Sequence, residues 1–280
     1  MREITTEAII ALIEKLCIDA NCFLNRDIEE ELSRCREKEE SPSGKKVIDT
    51  ILENAAIACK EKMPICQDTG MAVVFLELGM DIHVSGGDLE EAINEGVRRG
   101  YEKGYLRKSV VRDPIDRVNT KDNTPAIIHY SIVSGDKIKI TVAPKGFGSE
   151  NMSALAMLTP ADGIEGVKKF VVQTVSAAGS NPCPPVVVGV GVGGTMEKCA
   201  LLSKKALLRP IDSGNKNKFW NSVEKELLEK INKLGIGPAG FGGRVTALGV
   251  NIETFPTHIA GLPVAVNIGC HVTRHAEGVI

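Results

Sequence analysis

The sequence predicts a mixed α/β protein of α+β character: a helical N-terminal region over residues 1–63, then a mixed sheet packed with helices over 64–280, all in one domain. Three observations carry this. Apolar residues recur at helical spacing from Thr5 to Lys62, β-branched apolar runs follow, and 28 glycines make the chain rich in tight backbone turns. A chain of 280 residues with 43% hydrophobic content can bury a substantial core.

Ile9, Ile10, Leu12, Ile13 and Leu16, and later Val47, Ile48, Ile51, Leu52, Ala55 and Ile57, mark helical faces, so three helices are expected before Pro64. Met71 to Leu78 reads as a buried strand closed by Gly79, and Asp88 to Gly104 as an amphipathic helix. Ala126 to Val133 and Lys137 to Val142 flank Ser134-Gly135-Asp136, which predicts a β-hairpin. Asn151 to Leu158 and Ile164 to Ala178 are expected to be helical, followed by a strand over Val186 to Val190 and helices over Glu197 to Leu208 and Phe219 to Leu234. Arg244 to Phe255 and Leu262 to Ile268 supply the closing strands.

A formal net charge of −2, without long runs of either sign, argues against nucleic acid as a partner. The opening residues lack the apolar core of a signal peptide, and no apolar stretch is long enough to span a bilayer. A cytoplasmic location with reduced thiols is therefore expected, and the eight cysteines read as thiols or metal ligands.

Cys66, Cys183 and Cys270 stand apart from the others. They lie in Pro64-Ile65-Cys66-Gln67-Asp68-Thr69-Gly70, Asn181-Pro182-Cys183-Pro184-Pro185 and Asn267-Ile268-Gly269-Cys270-His271, where Pro, Gly or Asn break regular structure and expose the sulfur. Three converging thiolates would leave a four-coordinate metal centre one ligand short. Cys17, Cys22, Cys35, Cys59 and Cys199 fall inside helical patterns and read as buried small apolar side chains.

Several other motifs have plainer explanations. Gly189 to Gly194 fits the dinucleotide fingerprint but comes too late in the chain to open a run of alternating strands and helices, so a structural turn is expected. Asp68-Thr69-Gly70 with Asp212-Ser213-Gly214 resembles the paired aspartic-protease triplets, yet those enzymes are almost wholly β. Cys270, His271 and His275 lack the spacing of a zinc site. Lys145 to Asn151 places glycines at a helix mouth, where backbone N–H groups can hold a carboxylate, and Arg107 can grip a carboxylate through two parallel bonds.

Taken together, the Cys66, Cys183 and Cys270 segments, Leu106 to Val111, Lys145 to Asn151, Gly191 to Thr195, and His258-Ile259-Ala260-Gly261-Leu262-Pro263 resemble the class I, iron-sulfur-dependent fumarate hydratases and L-tartrate dehydratases in their α-subunit form. The resemblance implies a 4Fe-4S cluster held by Cys66, Cys183 and Cys270, with the open iron acting as Lewis acid in the reversible hydration of fumarate to L-malate. Alternatives are L-tartrate dehydratase, a mesaconase, or an iron-sulfur binding or sensing protein without turnover. By resemblance, Asp68 and His258 would be catalytic, while Gln67, Arg107, Gly146 and Gly148 would bind the dicarboxylate. The family commonly has three glycines after the lysine, whereas Phe147 replaces the middle one here. The resemblance also implies a separate β subunit that completes the active site of a hetero-oligomeric hydro-lyase, an enzyme of the citric acid cycle type.

Overall fold

The computed structural model describes residues 1–280. In chain order the elements are β1 (Arg2–Thr5), α1 (Thr6–Cys22), α2 (Arg26–Lys38), α3 (Pro42–Glu61), β2 (Met71–Gly79), β3 (Ile82–Ser85), α4 (Leu89–Lys103), β4 (Ile127–Val133), β5 (Ile138–Lys145), α5 (Phe147–Glu150), β6 (Ala154–Leu158), α6 (Gly163–Ala178), β7 (Val186–Gly193), α7 (Met196–Ala206), α8 (Lys218–Asn232), β8 (Ala247–Phe255), β9 (Leu262–Gly269) and β10 (Ala276–Val279). This is the mixed, α+β architecture that the hydrophobic patterns predict. The elements form two compact units. One comprises Met1–Leu24, Ala55–Phe147 and Arg274–Ile280, and the other Asn25–Asn54 and Gly148–Thr273. The N-terminal helices are therefore divided, with α1 in the first unit and α2 in the second.

In the first unit a four-stranded sheet has the order β10-β5-β2-β4. The β2 strand, rich in β-branched and aromatic residues, runs parallel to β4 and antiparallel to β5. The expected hairpin between β4 and β5 does not form, because β2 lies between them. Ser134-Gly135-Asp136 still reverses the chain, but its ends bond to β2 and the residues after it, with Gly79 N–H donating to Lys137 and Asp81 N–H to Gly135. Helices α1 and α4 pack closely over this core. A Cβ at Gly96 or Gly100 would come within 2.7 Å of Ile13 or Cys17 respectively, so glycine at both positions lets the two helices approach. The side chains of Thr5 and Asp88 cap α1 and α4 by accepting N–H bonds from Ala8 and Glu91.

In the second unit the sheet order is β6-β9-β7-β8. Every residue of β7 is buried. The strand runs parallel to β8 and antiparallel to β9, with Val187 opposite Gly269. Helix α7 lies directly on β7: a Cβ at Gly189 would sit 2.2 Å from the Ser203 carbonyl oxygen, and one at Gly191 2.0 Å from that of Cys199. These glycines of the dinucleotide-like motif therefore serve helix-on-strand packing, while Gly193 and Gly194, with φ of 89° and 71°, make the turn.

Residues Ala154 to Leu158 form an edge strand in place of the expected helix. Their Ala/Leu/Met composition favours a helix locally, yet the segment pairs antiparallel with β9 from Ala154↔Val266 to Leu158↔Leu262 and turns Leu155 and Met157 outward. Tertiary pairing overrides propensity here.

Glu39 joins distant parts of the second unit. Only 1% exposed, it accepts N–H bonds from Glu40, Ser41, Arg244 and Val245. Burial pushes its pKa up, but these backbone donors outweigh that, and the net shift is downward. Its stabilisation is therefore complete above the ordinary glutamate range and is lost as pH falls through the lower folded value. Glu39→Gln is expected to destabilise the protein by about 2 kcal/mol at neutral pH, with the gap to wild type narrowing below about pH 4. Thermal unfolding across a pH series checks this, and a gap that does not vary with pH would contradict it.

Candidate active site

In the first unit, Cys66 to Gly70 form a loop ahead of β2. Cys66 is half-buried and Gln67 exposed. The Asp68 N–H points at the Cys66 sulfur at 3.4 Å, and the thiol lies 3.3 Å from the Gln67 side-chain oxygen. Asp68 itself is held from both sides: one carboxylate oxygen accepts from Gly70 N–H at 3.0 Å and the other from Phe147 N–H at 2.9 Å. A carboxylate satisfies both donors at once. At Gly70, with φ of 69°, a Cβ would lie 2.6 Å from the Lys145 backbone, so only glycine lets the loop meet the end of β5.

The glycine turn after Lys145 thus has a specific role. The N–H of Phe147, the residue after Gly146, is engaged by the chain's own Asp68. A Cβ at Gly146 would stand 3.2 Å from the same carboxylate. Arg107 lies on the exposed segment that follows α4, and its carbonyl accepts a bond from the Thr69 hydroxyl at 2.9 Å. Asp68, Gly146 and the Arg107 backbone are therefore linked within one unit.

In the second unit, Cys183 and Cys270 occupy the same end of the sheet, one just before β7 and the other just after β9. Their segments touch. The His271 N–H donates to the Cys183 carbonyl at 3.4 Å, and the ring Nδ1 lies 2.9 Å from the same oxygen. A carbonyl only accepts, so Nδ1 carries the hydrogen in that bond. This gives His271 the task of fastening the two cysteine loops. Cys183 has φ of 55°, a left-handed conformation that non-glycine residues adopt mainly where surrounding structure imposes it. After Cys270 the chain turns tightly, with Thr273 N–H and hydroxyl both on the Cys270 carbonyl, and a Cβ at Gly269 would meet that hydroxyl at 2.0 Å. Gly148 lies nearby, its would-be Cβ 3.8 Å from the Asn181 carbonyl oxygen.

His258 is placed elsewhere. It lies on the exposed β8–β9 loop, where its Nδ1 accepts from Ala260 N–H, and it borders a cavity of about 370 Å³ with Trp220 and Leu262. The eight residues of β9 separate it from Cys270, roughly 25 Å at the usual rise per strand residue.

None of the eight cysteines is joined in a disulfide. Cys17, Cys22, Cys35 and Cys199 are buried, as expected, and burial pushes each thiol up, that of Cys35 to about 12. These sulfurs stay protonated and inert. Cys59, expected to be buried, is exposed on α3. Cys66, Cys183 and Cys270 are all accessible on loops. No three His, Cys, Asp or Glu side chains are grouped so as to hold a single metal ion.

The model of the fumarate hydratase (Fumerase) family matches residues 10–279. The chain belongs to that family. It is 45% identical over 271 residues, 95% of each chain, to a Methanocaldococcus jannaschii protein provisionally named L(+)-tartrate dehydratase subunit alpha. It is 36% identical over 252 residues to the L(+)-tartrate dehydratase subunit alpha of Escherichia coli strain K12, covering 89% of this chain and 82% of that one. As a Fumerase-family member the protein is a hydro-lyase. No helix is long and apolar enough to cross a membrane.

Motif reading missed Tyr101, Asn123 and Arg274, which hold the Cys66 loop from beneath. The Arg274 guanidinium donates to the Asp68 carbonyl at 2.9 Å, Tyr101 OH to that of Thr69 at 2.7 Å, and the Asn123 amide to that of Gly70 at 3.1 Å. Only the position of Arg274, shortly after Cys270, offered a signal.

Proposed function

We propose that the chain is the α subunit of a hydro-lyase that removes water from a four-carbon 2-hydroxydicarboxylate, with a 4Fe-4S cluster on Cys66, Cys183 and Cys270. The observation that carries this is the sorting of the sulfurs. These three stand accessible on loops built by Pro, Gly and left-handed backbone, while four others are buried as thiols. Thiolates suit such a group, and the Asp68 N–H on Cys66 is the kind of bond that tunes one. When bound, the cluster would supply a Lewis-acidic iron for the substrate's hydroxyl.

The chain's own residues would do the rest. Asp68, its carboxylate aimed by two backbone donors, would take or return the substrate proton or orient the hydroxyl. Arg107, exposed and without an ion pair, would clamp a carboxylate, and the backbone at Gly146 and Gly148 would meet another part of the substrate alongside Gln67. His258, the other residue that the family resemblance makes catalytic, lies at the opposite end of its sheet from Cys183 and Cys270.

The names of the relatives put L-tartrate ahead of fumarate, the substrate first expected from the family resemblance, while the description of the family model names fumarate. Mesaconate stands third. A separate β subunit would complete the site, as the α-subunit names of the relatives suggest, and eight cysteines outside disulfides suit the reducing cytoplasm. Anaerobic co-expression with the β chain, followed by assays on L-tartrate, L-malate/fumarate and mesaconate, tests the reading. Brown α chain that turns over only with its partner is expected. Full activity of α alone would overturn the subunit assignment, and a cluster without turnover of any of these substrates would favour the binding or sensing alternative.

A further inference from the structure

One of the buried side chains that hold the Cys66 loop, Asn123, also holds the arm that carries Arg107. Asn123 is fully buried and has φ of 64°. Its amide nitrogen donates to the Gly70 carbonyl at 3.1 Å, while its oxygen accepts from Ser109 N–H at 2.7 Å and Val110 N–H at 3.3 Å. A second tie runs in parallel. The Thr69 hydroxyl, 1% exposed, donates to the Arg107 carbonyl at 2.9 Å. Arg107 is thus bracketed, its own carbonyl tied by Thr69 and the two residues after Lys108 tied by Asn123. Both ties begin on the loop of Cys66 and Asp68. That loop is anchored in turn by Tyr101, whose phenol burial keeps protonated as a donor, and by Arg274.

We propose that Asn123 is a positioning residue for the reaction: with Thr69 it fixes the distance between the Asp68 loop and the Arg107 guanidinium, and so sets the span between the reacting carbon and a substrate carboxylate. The inference rests on the substrate reading above. Structural packing alone would not require one amide to face both segments, because each could be satisfied locally or by water. Asn123 touches no substrate itself. It acts through Arg107.

A double-mutant cycle tests this in the αβ enzyme, by comparing Asn123→Asp, Arg107→Ala and the double variant. Asn123→Asp keeps an acceptor for Ser109 and Val110 but sets a carboxylate oxygen against the Gly70 carbonyl. It is expected to raise KM for the dicarboxylate roughly 10- to 100-fold, with the smaller change in kcat and with iron content and visible spectrum retained. In the Arg107→Ala background the KM effect should disappear. A second variant, Thr69→Val, removes the parallel tie with little change of shape and is expected to raise KM in the same manner. It keeps the test open if Asn123→Asp fails to fold. Additive effects in the cycle, or an unchanged KM in whichever variants fold, would overturn the proposal. An inactive wild-type αβ enzyme would instead sink the underlying substrate reading, so the two failures are distinct.

Discussion

Cys183→Ala is expected to leave the protein folded but unable to retain its full iron and sulfide, with activity lost to background. The contrasting variant is Cys199→Ala. Cys183 is exposed on a bend whose left-handed conformation presents the side chain to solvent. Cys199 is wholly buried in α7, with its thiol donating to the Met196 carbonyl at 3.2 Å. Losing that sulfur costs packing, about 1–2 kcal/mol, and should lower the melting temperature without touching iron content. Anaerobic iron and sulfide analysis beside thermal melts separates the two. Equal iron in both variants would sink the three-ligand model. Because Cys183 and Cys270 lie at the same end of one sheet, joined by His271, Cys270→Ala should match Cys183→Ala.

Asp68→Asn should lower kcat by roughly 10²- to 10⁴-fold while the cluster survives, the usual range for removing a general acid or base. The reason is local. Both Asp68 oxygens accept backbone N–H bonds, one from Gly70 and one from Phe147. An asparagine accepts only one of them and turns an NH₂ toward the other donor. The substitution therefore removes the proton acceptor and loosens the junction between the Cys66 loop and the glycine turn. KM should change far less than kcat, because Arg107 and its ties to Thr69 and Asn123 remain. A kcat within about threefold of wild type would remove Asp68 from the proton-transfer step.

Much of this was legible locally. The three loop cysteines declared themselves through neighbouring Pro, Gly and Asn, because such residues favour turns, although Asn267 and Gly269 themselves belong to the end of β9. The start of α4 was likewise readable from Asp88 and the apolar face behind it. What escaped depends on partners distant in the chain. The edge strand β6 looked helical because its composition is helix-favouring, and only β9 supplies the hydrogen bonds that decide otherwise. The apparent β4–β5 hairpin was split by β2, whose insertion no turn residue can announce. Asn123 sat unremarked in a polar loop, since its task is defined by Gly70 and Ser109 together.

The sequence by itself determined the family, the sulfur ligands proposed for the cluster, and most of the helices, since these rest on residue identity, short motifs and periodicity. Tertiary structure decided how those pieces are used. It gave Gly189 and Gly191 to the packing of α7 on β7, set Asp68 between two backbone donors, and carried His258 to the far end of the sheet from Cys270. The physical reason is the same in each case: a motif specifies what its own atoms can do, but strand order and close packing choose which distant atoms they meet.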